Sequence, residues 1–323
     1  MKYDEIINLM LNNSNINYSD FYIATLDEDV NFKSKDKKLI QSIKEAKAKG
    51  ANIHIQNQDG NENSFFHIAV NRRFSEDGIK ARLYLSPKHH NLHELAVQFI
   101  NNSLKAGSDI YFKYARESDR LDRVVVYLKD QEDIYQKINL LSNIKNEYPS
   151  LFKDMQKSKV WFNETQIPYV FLEPEPLLEN SLGSKSSYGK MFEGALASTK
   201  KIMEYIYGIK TNENLSSKKF DPDFYSNFNQ IFTEMLKRYG IYMQKNNATN
   251  RYEVIAKPVD PNDLRVLFKF EYDKSSQTIT EIRGGSLYGE KEERYSFSQQ
   301  NKGTFLKTVI ANKKQFDASS HLR

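Results

Sequence analysis

The chain has 323 residues, with 47 Lys and Arg against 42 Asp and Glu, a formal net charge of +5 and no cysteine. That length favours two domains, or one domain with a long elaboration. The missing thiols exclude a disulfide framework, a thiolate nucleophile, a cysteine zinc site and cysteine redox chemistry, and so small a charge over interspersed signs argues for a mixed solvated surface.

From Tyr3 to Leu11, apolar residues recur at helical spacing through Ile6, Ile7, Leu9 and Met10. The start Met1-Lys2-Tyr3-Asp4-Glu5 lacks the basic stretch and long apolar core of a secretory signal. The expected location is therefore the cytoplasm of the producing bacterium. Release through a specialised secretion apparatus stays open, because its address does not take that form. Leu39 to Lys49 predicts a second helix closed by Gly50. Alternation at Ile53 and Ile55, the turn Gln58-Asp59-Gly60-Asn61 and the run Phe65 to Val70 predict a hairpin.

Ala81 to Leu85 reads as a strand stopped by Pro87, and Leu92 to Lys105 as an amphipathic helix ended by Gly107. Ile110 to Tyr114 and Val124 to Leu128 are strands on either side of the charged loop Arg116 to Asp122, and a helix follows from Asp130 to Asn146. The longest apolar runs, Val124 to Leu128 and Ile167 to Leu172, are far short of the ~20 residues that span a bilayer, so no membrane association is expected. Strand, helix, strand, strand, helix over 82–146 argues for a small α/β or α+β sheet with packed helices, and the expected fold is α+β with a small mixed sheet.

Val160 to Leu172 continues as extended chain until Glu173-Pro174-Glu175-Pro176 breaks it. A polar loop from Asn180 to Tyr188 opens the helix Lys190 to Tyr207, and the polar run Lys210 to Lys219 reads as a linker. The expected organisation is an α+β domain over 1–209, a linker over 210–219 and a smaller antiparallel α+β module over 220–323. That module holds a helix from Phe224 to Tyr239 and strands at Arg251 to Ala256, Val266 to Tyr272 and Thr278 to Ile282.

His89 and His93 are four residues apart, as a zinc pair on one helix face would be, but no third ligand is signalled; a solvated helix start is the reading, and no metal is expected. Gly284-Gly285-Ser286-Leu287-Tyr288-Gly289 lacks the Lys-Ser/Thr ending of a phosphate loop and reads as a turn. Glu173 and Glu175 have nothing beside them in sequence to separate their acidities into an acid and a base.

More chemistry lies in Tyr111-Phe112-Lys113-Tyr114-Ala115-Arg116, followed by Arg120, Asp122 and Arg123. A strand lysine among aromatics is open to desolvation, which lowers its proton affinity and makes it a usable general base. The nearby arginines have the fork geometry for a phosphate. The same pattern describes a lysine on the solvent face of an edge strand beside a charged turn, and the residues alone leave both readings open. Acidic Glu117, Asp119 and Asp122 among the arginines argue against nucleic acid as the partner.

Ala81-Arg82-Leu83-Tyr84-Leu85-Ser86-Pro87, the helix after it, Ile110-Tyr111-Phe112-Lys113-Tyr114, Arg120-Leu121-Asp122-Arg123-Val124-Val125-Val126-Tyr127-Leu128 and Ser187-Tyr188-Gly189 together resemble the HopA-type effector family over roughly residues 50–207. That family is similar in fold to phosphothreonine lyases. The resemblance implies binding of a protein or peptide, phosphorylated ones included, and metal-independent elimination of phosphate from phosphorylated Ser or Thr, with no cofactor. It implies Lys113 as the base, His67 as the acid, and Arg82, Arg116, Arg120 or Arg123 as the phosphate clamp. Phe65-Phe66-His67 departs from the Lys-Phe-His of such lyases, and Lys190 stands where an arginine is expected. These departures leave room for a non-catalytic effector or interaction module on the same fold.

Overall fold

The computed structural model describes residues 6–7, 32–57, 65–75, 78–115, 120–158, 160–175, 188–208, 222–239, 244–246, 251–253, 268–283 and 293–311. The chain forms two compact units. One comprises Ser19–Glu175 and Met243–Ile255, the other Met1–Tyr18, Pro176–Tyr242 and Ala256–Arg323.

The first unit is built on six strands: β1 (Ile53–Asn57), β2 (Phe65–Val70), β3 (Ala81–Leu85), β4 (Ile110–Ala115), β5 (Val124–Leu128) and β6 (Val170–Pro174). Their spatial order is β1-β2-β4-β5-β3-β6, and every pairing is antiparallel. The fold is α+β as expected, but the sheet is antiparallel throughout rather than mixed. Although β3 follows β2 in the chain, the β4 and β5 pair lies between them.

Among the described residues this unit holds the α-helices α1 (Phe32–Ala48), α2 (His89–Ala106) and α3 (Gln131–Glu147). Asp130 caps α3 by accepting from the backbone N–H of Asp133 at 2.8 Å. Gly107 ends α2 at φ 60° with its N–H on the Leu104 carbonyl, a left-handed conformation that a residue without Cβ adopts at little cost. Leu39 and Ile43 of α1, Leu92, Leu95 and Phe99 of α2 and Ile134, Ile138 and Leu141 of α3 pack with Phe66, Ile68, Ile110, Phe112, Leu83, Val126 and Leu172 of the sheet. Strand residues of one parity therefore fill the core beneath the helices, and the other parity forms a second face.

The second unit contains α4 (Tyr188–Tyr207), α5 (Pro222–Arg238), β9 (Phe268–Asp273), β10 (Thr278–Arg283), β11 (Glu293–Phe297) and α6 (Lys302–Ala311). Its three strands are antiparallel in the order β11-β10-β9. The pair β7 (Gln244–Asn246) and β8 (Arg251–Glu253) belongs to the first unit. The division at Glu175 and Pro176 departs from the expected boundary over 210–219. The reason is that α4 packs along α5 and β9, with Phe192 edge-on to Phe232 at 5.5 Å and Lys201 Nζ donating to the Phe270 carbonyl at 2.8 Å. Gly194 lets the chain approach Tyr239 closely, since a Cβ there would stand 2.5 Å from its ring. The expected linker and the glycine-rich run from Gly284 lie outside the described residues.

Candidate functional site

Antiparallel register sets His67 of β2 directly opposite Lys113 of β4. Phe66 and Ile68 on one strand and Phe112 and Tyr114 on the other turn into the helix-covered core, so His67 and Lys113 share the second face. The same alternation brings Tyr111 and Tyr127 there as Cα partners, and Arg82 of β3 as the partner of Tyr127.

Two stacked tyrosines form the platform. Tyr111 and Tyr127 lie with ring centres 4.2 Å apart and 10° between planes. The Tyr111 hydroxyl and His67 Nδ1 are joined by a 2.8 Å hydrogen bond, and Phe74 closes edge-on to both rings. Cations gather on the aromatic faces: Arg82 is 4.8 Å and Lys113 6.0 Å from the Tyr127 centre, and Arg72 is 5.5 Å from that of Tyr111. Lys113 Nζ is 3.8 Å and Arg120 4.7 Å from the centre of Phe65. Such contacts contribute about 0.5 to 2 kcal/mol each, more as water is excluded.

Carboxylates face Arg82, Arg120 and Arg72 among these cations. Arg82 Nη2 donates to Glu175 Oε1 at 2.7 Å and its Nε faces Oε2, a two-point pair in which Glu175 is 4% and Arg82 13% exposed. Arg120 donates through Nε and Nη2 to the two oxygens of Asp122 at 2.8 and 2.9 Å. At the start of β4, Asp109 meets Lys129, Lys137 and Arg72. Burial, the largest single influence, pushes its carboxyl up, but the Lys129 hydrogen bond and the three positive charges outweigh it and hold the group below the usual carboxylate range.

At the β3 and β6 end of the face, Trp161 stacks on Tyr84 at 4.5 Å. The loop carrying Trp161 is fastened by Glu173, which accepts from Asn163 N at 3.1 Å, Asn163 Nδ2 at 2.8 Å and the backbone N–H of Phe162. Desolvation pushes the Tyr84 phenol far up, with the charges of Glu175, Asp122 and Glu173 adding to it and Arg82 opposing. It is therefore a proton donor in hydrogen bonding and not a base.

The structure sorts the expected site residues. His67, Lys113 and Arg82 come together on one face around Tyr111 and Tyr127, and Arg120 joins through Phe65. Arg123 does not: it is fully buried, donating Nε to the Arg120 carbonyl and Nη1 to the Pro87 carbonyl, each at 2.9 Å. Its guanidinium ties two loops together, so the phosphate-clamp expectation is corrected at that position. Arg116 lies outside the described residues. At the start of α2, His90 is exposed, but His89 and His93 are buried rather than solvated, with His93 edge-on to Tyr114 at 5.5 Å. No group of three or more potential metal ligands occurs among the described residues, and no described helix is long and apolar enough to cross a membrane. A hollow of about 370 Å³ at Lys157, Glu164, Thr165, Gln166, Pro168 and Tyr169 includes none of the residues above.

Sequence reasoning missed Tyr111 as the partner of His67, Tyr127 as the platform for Arg82 and Lys113, and Glu175 as the counterion of Arg82. Alternation within β3, β4 and β5 holds the parity of the first two. Nothing local signals Glu175, which meets Arg82 from 93 residues away.

No known protein family and no curated protein matches the sequence. Among solved structures, the chain is similar to an effector protein from Pseudomonas syringae pv. tomato strain DC3000, at 10% identity over 74% of this chain and 92% of that one, with a TM-score of 0.47. It is also similar to an effector protein from Pseudomonas syringae pv. syringae strain 61, at 13% identity over 69% of this chain and 84% of that one, with a TM-score of 0.42.

Proposed function

We propose that the second face of the six-stranded sheet binds a phosphorylated segment of a protein or peptide and eliminates phosphate from its phosphoserine or phosphothreonine. The observation that supports this reading is the cross-strand pairing of His67 with Lys113 beside Arg82. In this reading the Lys113 amine takes the α-proton of the phosphorylated residue. The electron pair left on the α-carbon forms the double bond to the β-carbon, the bond from the β-carbon to the ester oxygen breaks, and phosphate leaves with a proton from His67. Arg82 and Arg120 hold the phosphate oxygens through their forks. The step consumes no water and needs no redox partner.

A second reading is binding of the phosphorylated segment without chemistry. It is favoured by the position of Lys113 on the Phe65 ring at 3.8 Å, because a ring face stabilises the ammonium over the neutral amine that a base must be.

Incubating the purified protein with phosphoserine and phosphothreonine peptides, without added metal, and measuring intact peptide mass tests the proposal. Loss of one phosphoric acid per peptide is the expected result. Unchanged mass together with saturable binding selects the second reading, and unchanged mass without binding removes the phosphorylated ligand altogether.

A further inference from the structure

We propose that Glu175 sets the ligand selectivity of this face, admitting a phosphate monoester and rejecting a carboxylate at Arg82. The inference rests on the reading that phosphorylated segments bind here, and adds how the face would tell them from merely acidic ones.

Arg82 is fixed from two directions, lying 4.8 Å from the Tyr127 ring centre and engaged at two points by Glu175. Glu175 is itself held in place, since its backbone N–H donates at 2.7 Å to the carbonyl of Lys80, the residue just before β3, the neighbouring strand that carries Arg82. The carboxylate is thus delivered to the guanidinium by the chain, at an effective concentration that a free ligand does not match.

An incoming Asp or Glu side chain offers Arg82 the charge and two oxygens it already has. The exchange gains nothing at the fork and forfeits the intramolecular advantage of Glu175. A phosphate monoester brings a charge of about −1.5 to −2 and three acceptor oxygens. Its additional charge is also felt by Lys113, which stands over the same Tyr127 ring at 6.0 Å. Burial of the pair sharpens the contrast, because Coulomb terms grow as water is excluded. Glu175 therefore acts as a built-in competitor that a dianion displaces and a monoanion does not.

Trp161 supplies the readout. It is the single tryptophan of the chain and stacks on Tyr84, two residues along β3 from Arg82 and on the same face.

The experiment titrates the full chain and its Glu175→Gln variant with a phosphoserine peptide and with the same peptide carrying Glu in place of phosphoserine, following Trp161 fluorescence. The wild-type protein is expected to prefer the phosphopeptide by on the order of tenfold or more, and the variant to bind both more tightly with the preference narrowed by a similar factor. Equal binding of the two peptides by the wild-type protein overturns the proposal without reference to the variant, which covers a variant that folds poorly. An unchanged preference in a folded Glu175→Gln protein overturns it as well. In both cases the phosphopeptide still binds, and the broader reading survives. If neither peptide binds either protein, that reading fails and the selectivity proposal with it.

Discussion

The ammonium of Lys113 lies 3.8 Å from the centre of the Phe65 ring, and the two proposed readings part at this contact. Lys113→Arg keeps a cation on the ring but places there a group that does not deprotonate in proteins. If Lys113 is a base, the variant should bind a phosphopeptide within about threefold of wild type and show no loss of phosphoric acid from it. Elimination at the wild-type rate would remove Lys113 from the chemistry. Intact-mass kinetics alongside Trp161 fluorescence decide between these outcomes.

Tyr111→Phe deletes the hydroxyl that meets His67 Nδ1 while keeping the ring that stacks on Tyr127. Both groups are buried, so a stability loss of about 1 to 3 kcal/mol is expected by urea denaturation. Tyr111→Leu removes the stack as well and should cost more. Equal costs would assign the stabilisation to the hydroxyl alone.

Glu173 is buried and accepts from Phe162 and Asn163. In Glu173→Ala these donors lose a charged acceptor, at a cost of about 2 to 5 kcal/mol. Because the loop they fasten carries Trp161, the fluorescence of the folded variant should shift to longer wavelength as the indole gains solvent. An unshifted spectrum would show that the stack on Tyr84 holds Trp161 without the loop.

Asp273 closes the turn between β9 and β10 by accepting from the side chains and backbone of Ser275 and Ser276. These bonds bring its carboxyl from 3.8 down to about 2. The folded state thus binds this proton more weakly than the unfolded chain does. The contribution is present above about 3.8 and is lost as pH falls towards 2. An NMR titration of the side-chain carboxyl should give the depressed midpoint, and Ser275→Ala with Ser276→Ala should return it towards 3.8.

Gly194→Ala sets two effects against each other. In an isolated helix the change is worth about 1 kcal/mol in favour of Ala, but here the new Cβ would stand 2.5 Å from the Tyr239 ring. Overpacking costs about 1 to 3 kcal/mol and should win, lowering the melting temperature. Combining Gly194→Ala with Tyr239→Leu should recover part of that loss.

Much of the helical content was legible because apolar spacing marks a helix wherever one face is buried. Leu92, Leu95 and Phe99 announced α2, and Ile134, Ile138 and Leu141 announced α3. Strands β3, β4 and β5 were legible as short, largely apolar runs bounded by turn residues. Their order in the sheet was not, since alternation says which way a side chain points and is silent about its lateral neighbour. That is why Lys113 was legible by itself, as a strand lysine among aromatics, and His67 only through a resemblance, and the two became a facing pair only through the register of β2 with β4. Arg82 and Arg123 illustrate a second limit. In sequence each is an arginine at a strand, yet one rests on Tyr127 and the other is buried against two backbone carbonyls. The helix Tyr188–Tyr207 shows a third, because its apolar stripe was plain in the sequence but the surface it covers was not.

The placement of the β4 and β5 pair between β2 and β3 also dictates when the proposed site can exist. A growing chain makes His67 and then Arg82 well before Lys113, yet the strands bearing the first two are not neighbours. They are joined laterally only when β4 and β5, separated from β3 by the whole of α2, insert between them. Loop closure of that length precedes any reward from the contacts it makes. His67, Lys113 and Arg82 are therefore assembled in the step that completes the middle of the sheet, and a chain released short of residue 124 carries His67 and Arg82 without the means of bringing them together.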